Sequence, residues 1–222
     1  MTSSSRTLLA AVFAAVVFVP NALAQGGNGR LIAYLNSLPT EAISPVEHAS
    51  LIQMRQEEKL ARDVYEVLFF VWQQPIYSNI ANSEQGHMDL VGRMLTKYNI
   101  PDPITNDAWG QYQDPVFTQL FVQLVQFGMR SPLHAWITGA YIEDFDISDL
   151  NATIQTTDNR DLNTVWQNLN RGSRNHMRSF YGQLSGVGLV YPGFVISFAE
   201  IQAIVNAPYE NQPVDENGNI LP

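Results

Sequence analysis

Apolar residues recur at steps of three and four through four long segments of this sequence, and no segment alternates as a β-strand does. In the first segment Leu51, Glu58, Tyr65 and Trp72 recur every seven residues along one stripe, and Pro75 ends the pattern. Such a stripe is typical of an amphipathic helix whose apolar face is buried. The pattern therefore predicts an all-α protein.

The order and length of these segments predict how the chain is organised. The predicted helices cover residues 45–73, 79–98, 131–147 with a weaker continuation to 157, and 160–185, with shorter ones over 31–38, 115–127 and 197–205. Four long helices joined by one longer connection favour a four-helix bundle with a crossover helix and a short C-terminal helix. We expect a lead-in over residues 25–44, the bundle domain over 45–207 and a flexible tail over 208–222.

The first residues have the composition of a secretory signal peptide. Arg6 precedes an apolar run over residues 8–19, and Ala22-Leu23-Ala24 offers a small-x-small cleavage site. The run is shorter than the roughly 20 residues that span a bilayer, which argues against a membrane anchor. The pattern predicts a signal peptide over residues 1–24, export to the periplasm or the extracellular space, and no membrane association after cleavage.

Cysteine content and charge exclude several classes of function. The chain contains no Cys, which rules out thiolate metal sites, thiol catalysis and stabilisation by disulfides. The formal net charge is −9, and the sequence contains no basic cluster. Nucleic acid, which is bound through Lys and Arg, is therefore not an expected partner.

Each long helix carries a metal-competent side chain on its inward face. Glu84 and His87 stand at i and i+3 on an apolar face, and Glu58, Glu143 and His176 occupy the apolar stripes of the other three helices. Burying several carboxylates without countercharge costs several kcal/mol per ion. Carboxylate oxygens and imidazoles suit iron, manganese or zinc, and bundle cores are where such sites are built. The pattern predicts a metal site inside the bundle.

Two of these helices resemble a known ligand pattern. Glu58 followed by Ala61-Arg62 and Tyr65 is similar to the first-helix motif of rubrerythrins, and residues 83–87 resemble their Glu-x-x-His. More closely, four motifs in order resemble the DUF2202 domain family, a family with ferritin-like features, over residues 44–209. The motifs are MRQEEKLARDVY, SNIANSEQGHM, GAYIEDFDISDL and RGSRNHMRSF.

This resemblance implies a ferritin-like bundle and a non-haem di-iron site. It implies Glu58, Glu84, His87, Glu143 and His176 as ligands, with manganese or zinc as alternative metals. It further implies an oxidoreductase that reacts with peroxide or dioxygen. Because the chain has no Cys for an electron-transfer module, turnover would need an external electron donor. A homodimer is one candidate assembly.

One departure from the ferritin-like pattern concerns the fourth helix. Ser173 stands where a Glu would be expected before His176. Either Asp146 supplies the missing carboxylate, or the second metal is weakly held or absent. The alternative function is therefore a non-catalytic metal-binding or structural bundle of the cell envelope.

Several residues admit a second interpretation. Glu57, expected to be solvated, competes with Glu58, and Asp144 competes with Glu143. His176 could be an ordinary core histidine, and Tyr65 either a core residue or a hydrogen-bond partner of a ligand. Three arginines, Arg171, Arg174 and Arg178, recur at steps of three and four and are expected to form an exposed stripe.

Overall fold

The computed structural model describes residues 25–222, and over these residues the protein is an all-α helical bundle, as predicted. The predicted signal peptide lies outside the described residues. The helices are α1 (Gln25–Ser37), α2 (Pro45–Trp72), α3 (Pro75–Lys97), α4 (Pro115–Gly128), α5 (Pro132–Thr156), α6 (Arg160–Gly186) and α7 (Phe198–Asn206). None of these helices is long and apolar enough to cross a bilayer.

The helix ends follow local chemistry. Ser44 and Glu47 form a capping box at the start of α2, in which each side chain accepts a hydrogen bond from the backbone of the other residue. Pro75 occupies the first turn of α3, so this helix begins four residues earlier than the sequence pattern predicts. Proline suits that position because the amide of a first-turn residue has no partner inside the helix. Gln73, with φ of 53°, makes the turn between α2 and α3.

The four long helices enclose one interior. α2 packs along α3, α5 packs along α6, and the two pairs meet through α2–α5 and α3–α6 contacts, while α4 covers α2 and α5. The interior contains two hydrophobic clusters. One is centred on Leu68 and Phe180, and the other on Leu51 and Trp166. A layer of buried Glu and His side chains crosses the helices between these clusters.

The C-terminal segment, for which the sequence predicts a flexible tail, packs against α6 instead. The side chain of Asn168 donates to the carbonyl oxygen of Val214 and accepts from its amide, at 2.7 and 3.0 Å. Leu221 is buried in the second cluster. A composition rich in Pro, Asn and Gly did not reveal these anchors, because they depend on side chains of a distant helix.

The same segment changes the environment of the predicted arginine stripe. Arg174 and Arg178 both form ion pairs with Glu210, at 2.5 and 3.0 Å. Arg178 also donates to the carbonyl oxygens of Ile204 and Ala207, and it is buried. The prediction of a solvated face was therefore wrong for Arg178, because the chain returns across this side of α6.

Candidate metal centre

The five predicted ligands come from all four long helices and meet in the polar layer. Each is buried, with exposed fractions between 0% for Glu143 and 8% for His87. Their donor atoms form two groups, in each of which the atoms lie within 4.8 Å of one another. The groups are Glu58, Glu84 and His87, and Glu84, Glu143 and His176.

Glu84 belongs to both groups and joins them. Its Oε2 lies 2.7 Å from Nδ1 of His87, which is also 3.1 Å from Oε2 of Glu58. Its Oε1 lies 2.9 Å from Nδ1 of His176, which is 3.4 Å from Oε2 of Glu143. One carboxylate thus faces two imidazoles through different oxygens, and each imidazole has a further carboxylate of its own.

Several atoms of this centre are buried without a hydrogen-bond partner among residues 25–222. They are Oε1 of Glu58, Oε1 of Glu84, Oε2 of Glu143 and Nδ1 of His176. Nδ1 of His176 and Oε1 of Glu84 are only 2.9 Å apart, yet they are not aligned as hydrogen-bond donor and acceptor. A buried polar atom without a partner costs about 1–3 kcal/mol. Atoms of this chemistry suit a metal ion, which would satisfy all of them together.

The charges of the centre are balanced among its own groups. Burial would raise the pKa of Glu84, but the imidazoles of His176 and His87 outweigh burial and hold it well below its usual range. Burial lowers the pKa of His87, but Glu58 and Glu84 raise it to about 9. Burial raises the pKa of Glu58 to about 7. Protons on the imidazoles therefore balance the carboxylates, and a metal ion would displace them.

Two hydrogen bonds from outside the two groups orient predicted ligands. The hydroxyl of Tyr65 donates to Oε1 of Glu143, which realises the hydrogen-bonding role considered for this tyrosine. Ser83 Oγ lies 3.0 Å from Nε2 of His176, so the second ring nitrogen is also engaged. Such contacts fix the orientation of ligand side chains. Ser83 was not predicted, because its place beside Glu84 in the sequence does not indicate that it faces α6.

Gly172 makes room for the first imidazole. A Cβ atom at this position would lie 2.5 Å from both Cε1 and Nε2 of His87, closer than real Cβ contacts. A glycine inside a long helix costs about 1 kcal/mol relative to alanine and usually has a packing reason. A glycine in the interior of a predicted helix was therefore the sequence signal that could have identified Gly172.

The sequence left open which acid of two neighbouring pairs, Glu57/Glu58 and Glu143/Asp144, faces the centre, and their contacts distinguish them. Glu58 faces His87, whereas Glu57 accepts a hydrogen bond from Gln53 at 2.8 Å. Glu57 is nevertheless 4% exposed, so the prediction that it is solvated was wrong. Its side of α2 is covered because the helix is buried all round from residue 56 to residue 65.

Asp144 has a structural role away from the centre. Its carboxylate accepts from the Tyr191 hydroxyl and from the amides of Phe194, Val195 and Ile196, at 2.6 to 3.1 Å. These bonds hold the loop between α6 and α7. Glu143, the neighbouring acid, faces His176 instead.

Ser173 does not act as a ligand, since its hydroxyl donates to the carbonyl oxygen of Leu169 within α6. Asp146 is buried on α5 at the level of Ser173, between the contacts Glu143–His176 and Asn151–Asn170. Burial, then the charges of Glu143 and Glu58, raises the pKa of Asp146 well above its usual range. Asp146 therefore lies beside the centre, although it belongs to neither donor group.

Comparison with known proteins places the chain in a family. Residues 47–208 match the family described as "Uncharacterized protein domain (DUF2202)". The uncharacterized protein MJ0754 of Methanocaldococcus jannaschii is 47% identical over 180 residues, which cover 81% of this chain and 97% of that protein. The crystal structure of the hypothetical protein MJ0754 from Methanococcus jannaschii matches with a TM-score of 0.77 and 48% identity, over 78% of this chain and 99% of that one. With a family match across most of its length, this chain belongs to the DUF2202 family.

Proposed function

We propose that this protein is an exported, ferritin-like metalloprotein that binds two metal ions, iron in the first instance, and reacts as an oxidoreductase with peroxide or dioxygen. The single observation that carries the proposal is the position of Glu84. Its two oxygens face His87 and His176 separately, and each histidine has its own second carboxylate. A shared carboxylate between two such sets is the arrangement expected of a paired metal centre.

Each donor group would bind one ion. Glu58, Glu84 and His87 would hold one ion, and Glu84, Glu143 and His176 the other. Bound iron would supply the one-electron chemistry that peroxide and dioxygen require, whereas manganese or zinc would fit the same oxygen and nitrogen donors. The ferritin-like assignment is supported by four long helices that enclose the centre and by the Glu-x-x-His spacing of Glu84 and His87.

The remaining residues control protons and water around the centre. The Tyr65 hydroxyl holds a proton beside Oε1 of Glu143, and burial with the charge of Glu143 keeps the pKa of Tyr65 well above its usual value. Burial, then the charge of Glu143, also raises the pKa of Asp146 beside the centre. The hydrophobic clusters on either side exclude bulk water from the layer. Because no Cys is present, we propose that an external donor supplies electrons.

A second candidate is a metal-binding bundle without catalysis. Ser173 favours it, because the bond from Ser173 to Leu169 leaves α6 with only one donor, His176. In that case one or two ions, zinc among them, would join the helices and stabilise the fold. Metal binding to a folded site stabilises the folded state by mass action whether or not the metal reacts.

Reaction of the iron-loaded protein with peroxide separates the two candidates. Metal-free protein is loaded anaerobically with Fe(II) and mixed with hydrogen peroxide, and oxidation is followed by near-ultraviolet absorbance. We expect the iron to be oxidised much faster than free Fe(II) in the same buffer. The Glu84→Gln variant should lose this rate, while Glu66→Gln, the same change made on α2 away from the centre, should keep it. Bound iron that reacts no faster than free iron would leave the non-catalytic candidate.

A further inference from the structure

A second group of acids lies on the α2–α5 side of the centre and is not used by either donor set. Glu57 and Asp146 are both 4% exposed, and Asp149 lies one helical turn further along α5, nearer to solvent. Gln53, one turn before Glu57 on α2, is exposed. Gln53 and Asp149 therefore lie nearer to the surface, and Glu57 and Asp146 lie inside.

Gln53 joins the two acids on its side of the helix pair. Nε2 of Gln53 donates to Oε1 of Glu57 at 2.8 Å and to Oδ2 of Asp149 at 3.2 Å, so one amide holds the two acids together. Asp146 lies three residues before Asp149 and three residues after Glu143 on α5, which places the three acids on neighbouring turns of one helix face. On α2, Glu57 is next to Glu58.

One atom of this group lacks a partner. Oε2 of Glu57 is buried and has no hydrogen-bond partner among the described residues, although Oε1 of the same carboxylate is satisfied by Gln53. A buried carboxylate oxygen without a partner is costly. Gln53 also holds a second acid, Asp149, beside this carboxylate. A cation is the ligand that this chemistry fits.

We propose that Glu57, Asp146 and Asp149 form an acidic loading path between α2 and α5, along which divalent cations reach the paired centre. Asp149 and the amide of Gln53 stand at its mouth, Glu57 is a transient ligand, and Asp146 passes the cation to Glu58 and Glu143. The inference rests on the proposed metal centre. On the imidazole side of the centre, between α3 and α6, Ser83 contacts His176 and Gly172 packs against His87.

The test measures the rates of metal binding, not its end point. Metal-free protein is mixed with Co(II) in a stopped-flow instrument, and the visible absorbance of the bound ion is followed. The variants are Glu57→Gln and Asp149→Asn, with Glu66→Gln as a control that makes the same Glu-to-Gln change on α2, nine residues away. Glu66 pairs with the Trp109 indole and lies outside both acid groups.

A transient ligand changes association and dissociation together. We expect Glu57→Gln and Asp149→Asn to slow both rates at least about threefold, in the range of electrostatic effects on association, and to leave the Co(II) stoichiometry and Kd unchanged. Glu66→Gln should match the wild type. Unchanged rates in both path variants would overturn the path alone. A reduced stoichiometry in Glu57→Gln would also overturn it, by making Glu57 a ligand of the centre. Wild-type protein that binds no Co(II) would refute the metal centre itself.

Discussion

A methyl group on Gly172 would lie 2.5 Å from Nε2 of His87, so α6 can approach α3 at this level only with a residue that has no side chain. The Gly172→Ala variant should therefore displace the imidazole from Glu58 and Glu84. We expect a destabilisation of about 1–3 kcal/mol, the usual cost of overpacking a core, and loss of metal from the first donor group. Chemical denaturation and metal analysis of the purified variant measure the two effects.

Gly182 provides the control on the same helix. It is exposed, and a Cβ atom there would meet nothing within 4 Å. Gly182→Ala should bind metal normally and gain up to about 1 kcal/mol from helix propensity. If both alanine variants bound metal equally well, His87 would not depend on the space at Gly172.

The hydrogen bond from Tyr65 to Glu143 predicts a specific effect on metal affinity. Tyr65→Phe removes the hydroxyl and keeps the ring, which packs 5.4 Å from the ring of Phe180. We expect stability to fall by about 1 kcal/mol and metal affinity at the second donor group to fall roughly 10- to 100-fold. Titration with Co(II) against a chelator measures the affinity. An unchanged affinity would mean that Glu143 needs no support from Tyr65.

The neighbouring acids Glu143 and Asp144 should have separable roles. Asp144→Asn removes acceptors from the loop at Tyr191 and Ile196, so it should cost about 1–3 kcal/mol and speed hydrogen exchange in residues 191–196. Glu143→Gln should leave this loop protected and weaken metal binding. Mass spectrometry of exchanging peptides, together with metal analysis, assigns each effect. Loss of metal in Asp144→Asn with an intact loop would reverse the two roles.

Metal-free protein should become less stable as the pH rises from about 5 to 9. Burial raises the pKa of Glu58 to about 7 and of Glu57 to about 8, and the neighbouring carboxylates raise that of His87 to about 9. The folded state therefore holds more protons than the unfolded chain in this window, and its free energy of unfolding falls with pH. The stabilisation from His87 is complete below about 6.5 and is lost as the pH passes 9.

Metal should reverse this trend, because the ion competes with the same protons and binds more tightly as the pH rises. Urea denaturation at three pH values, with and without Co(II), measures both slopes. A metal-free protein that gained stability between pH 5 and 9 would contradict the assignment of protons to these groups.

The sequence predicted those parts of the fold that depend on one helix at a time. Stripes such as Leu51, Glu58 and Tyr65 report the face that a helix buries, so the long helices and the five buried Glu and His side chains were predicted. The burial of Glu57 was not, because α2 is covered by α3, α4 and α5 together, and no single stripe records three neighbours. Periodicity detects a helix with an exposed face better than one that is enclosed.

Contacts between distant segments also could not be predicted from the sequence. To predict such contacts, one must know which segments lie side by side. Examples are the hydrogen bonds of Asp144 with residues 191–196, the bonds between Asn168 and Val214, and the space beside Gly172. Polar residues in such positions look the same in sequence as solvated ones. The position of Asp146 at the level of Ser173 was likewise visible only in the structure.

Metal stoichiometry is the sharpest test of the proposal that Glu84 joins two metal sites. Metal-free wild type, Glu84→Gln and the control Glu66→Gln are equilibrated with Fe(II) without oxygen, separated from free ion and assayed by elemental analysis. We expect two ions per chain in the wild type and in Glu66→Gln, and fewer than one in Glu84→Gln, because the amide removes the shared negative charge and one of the two oxygens that the donor groups share. A Glu84→Gln variant that retained the metal content of the wild type, or a wild type that retained none, would contradict it.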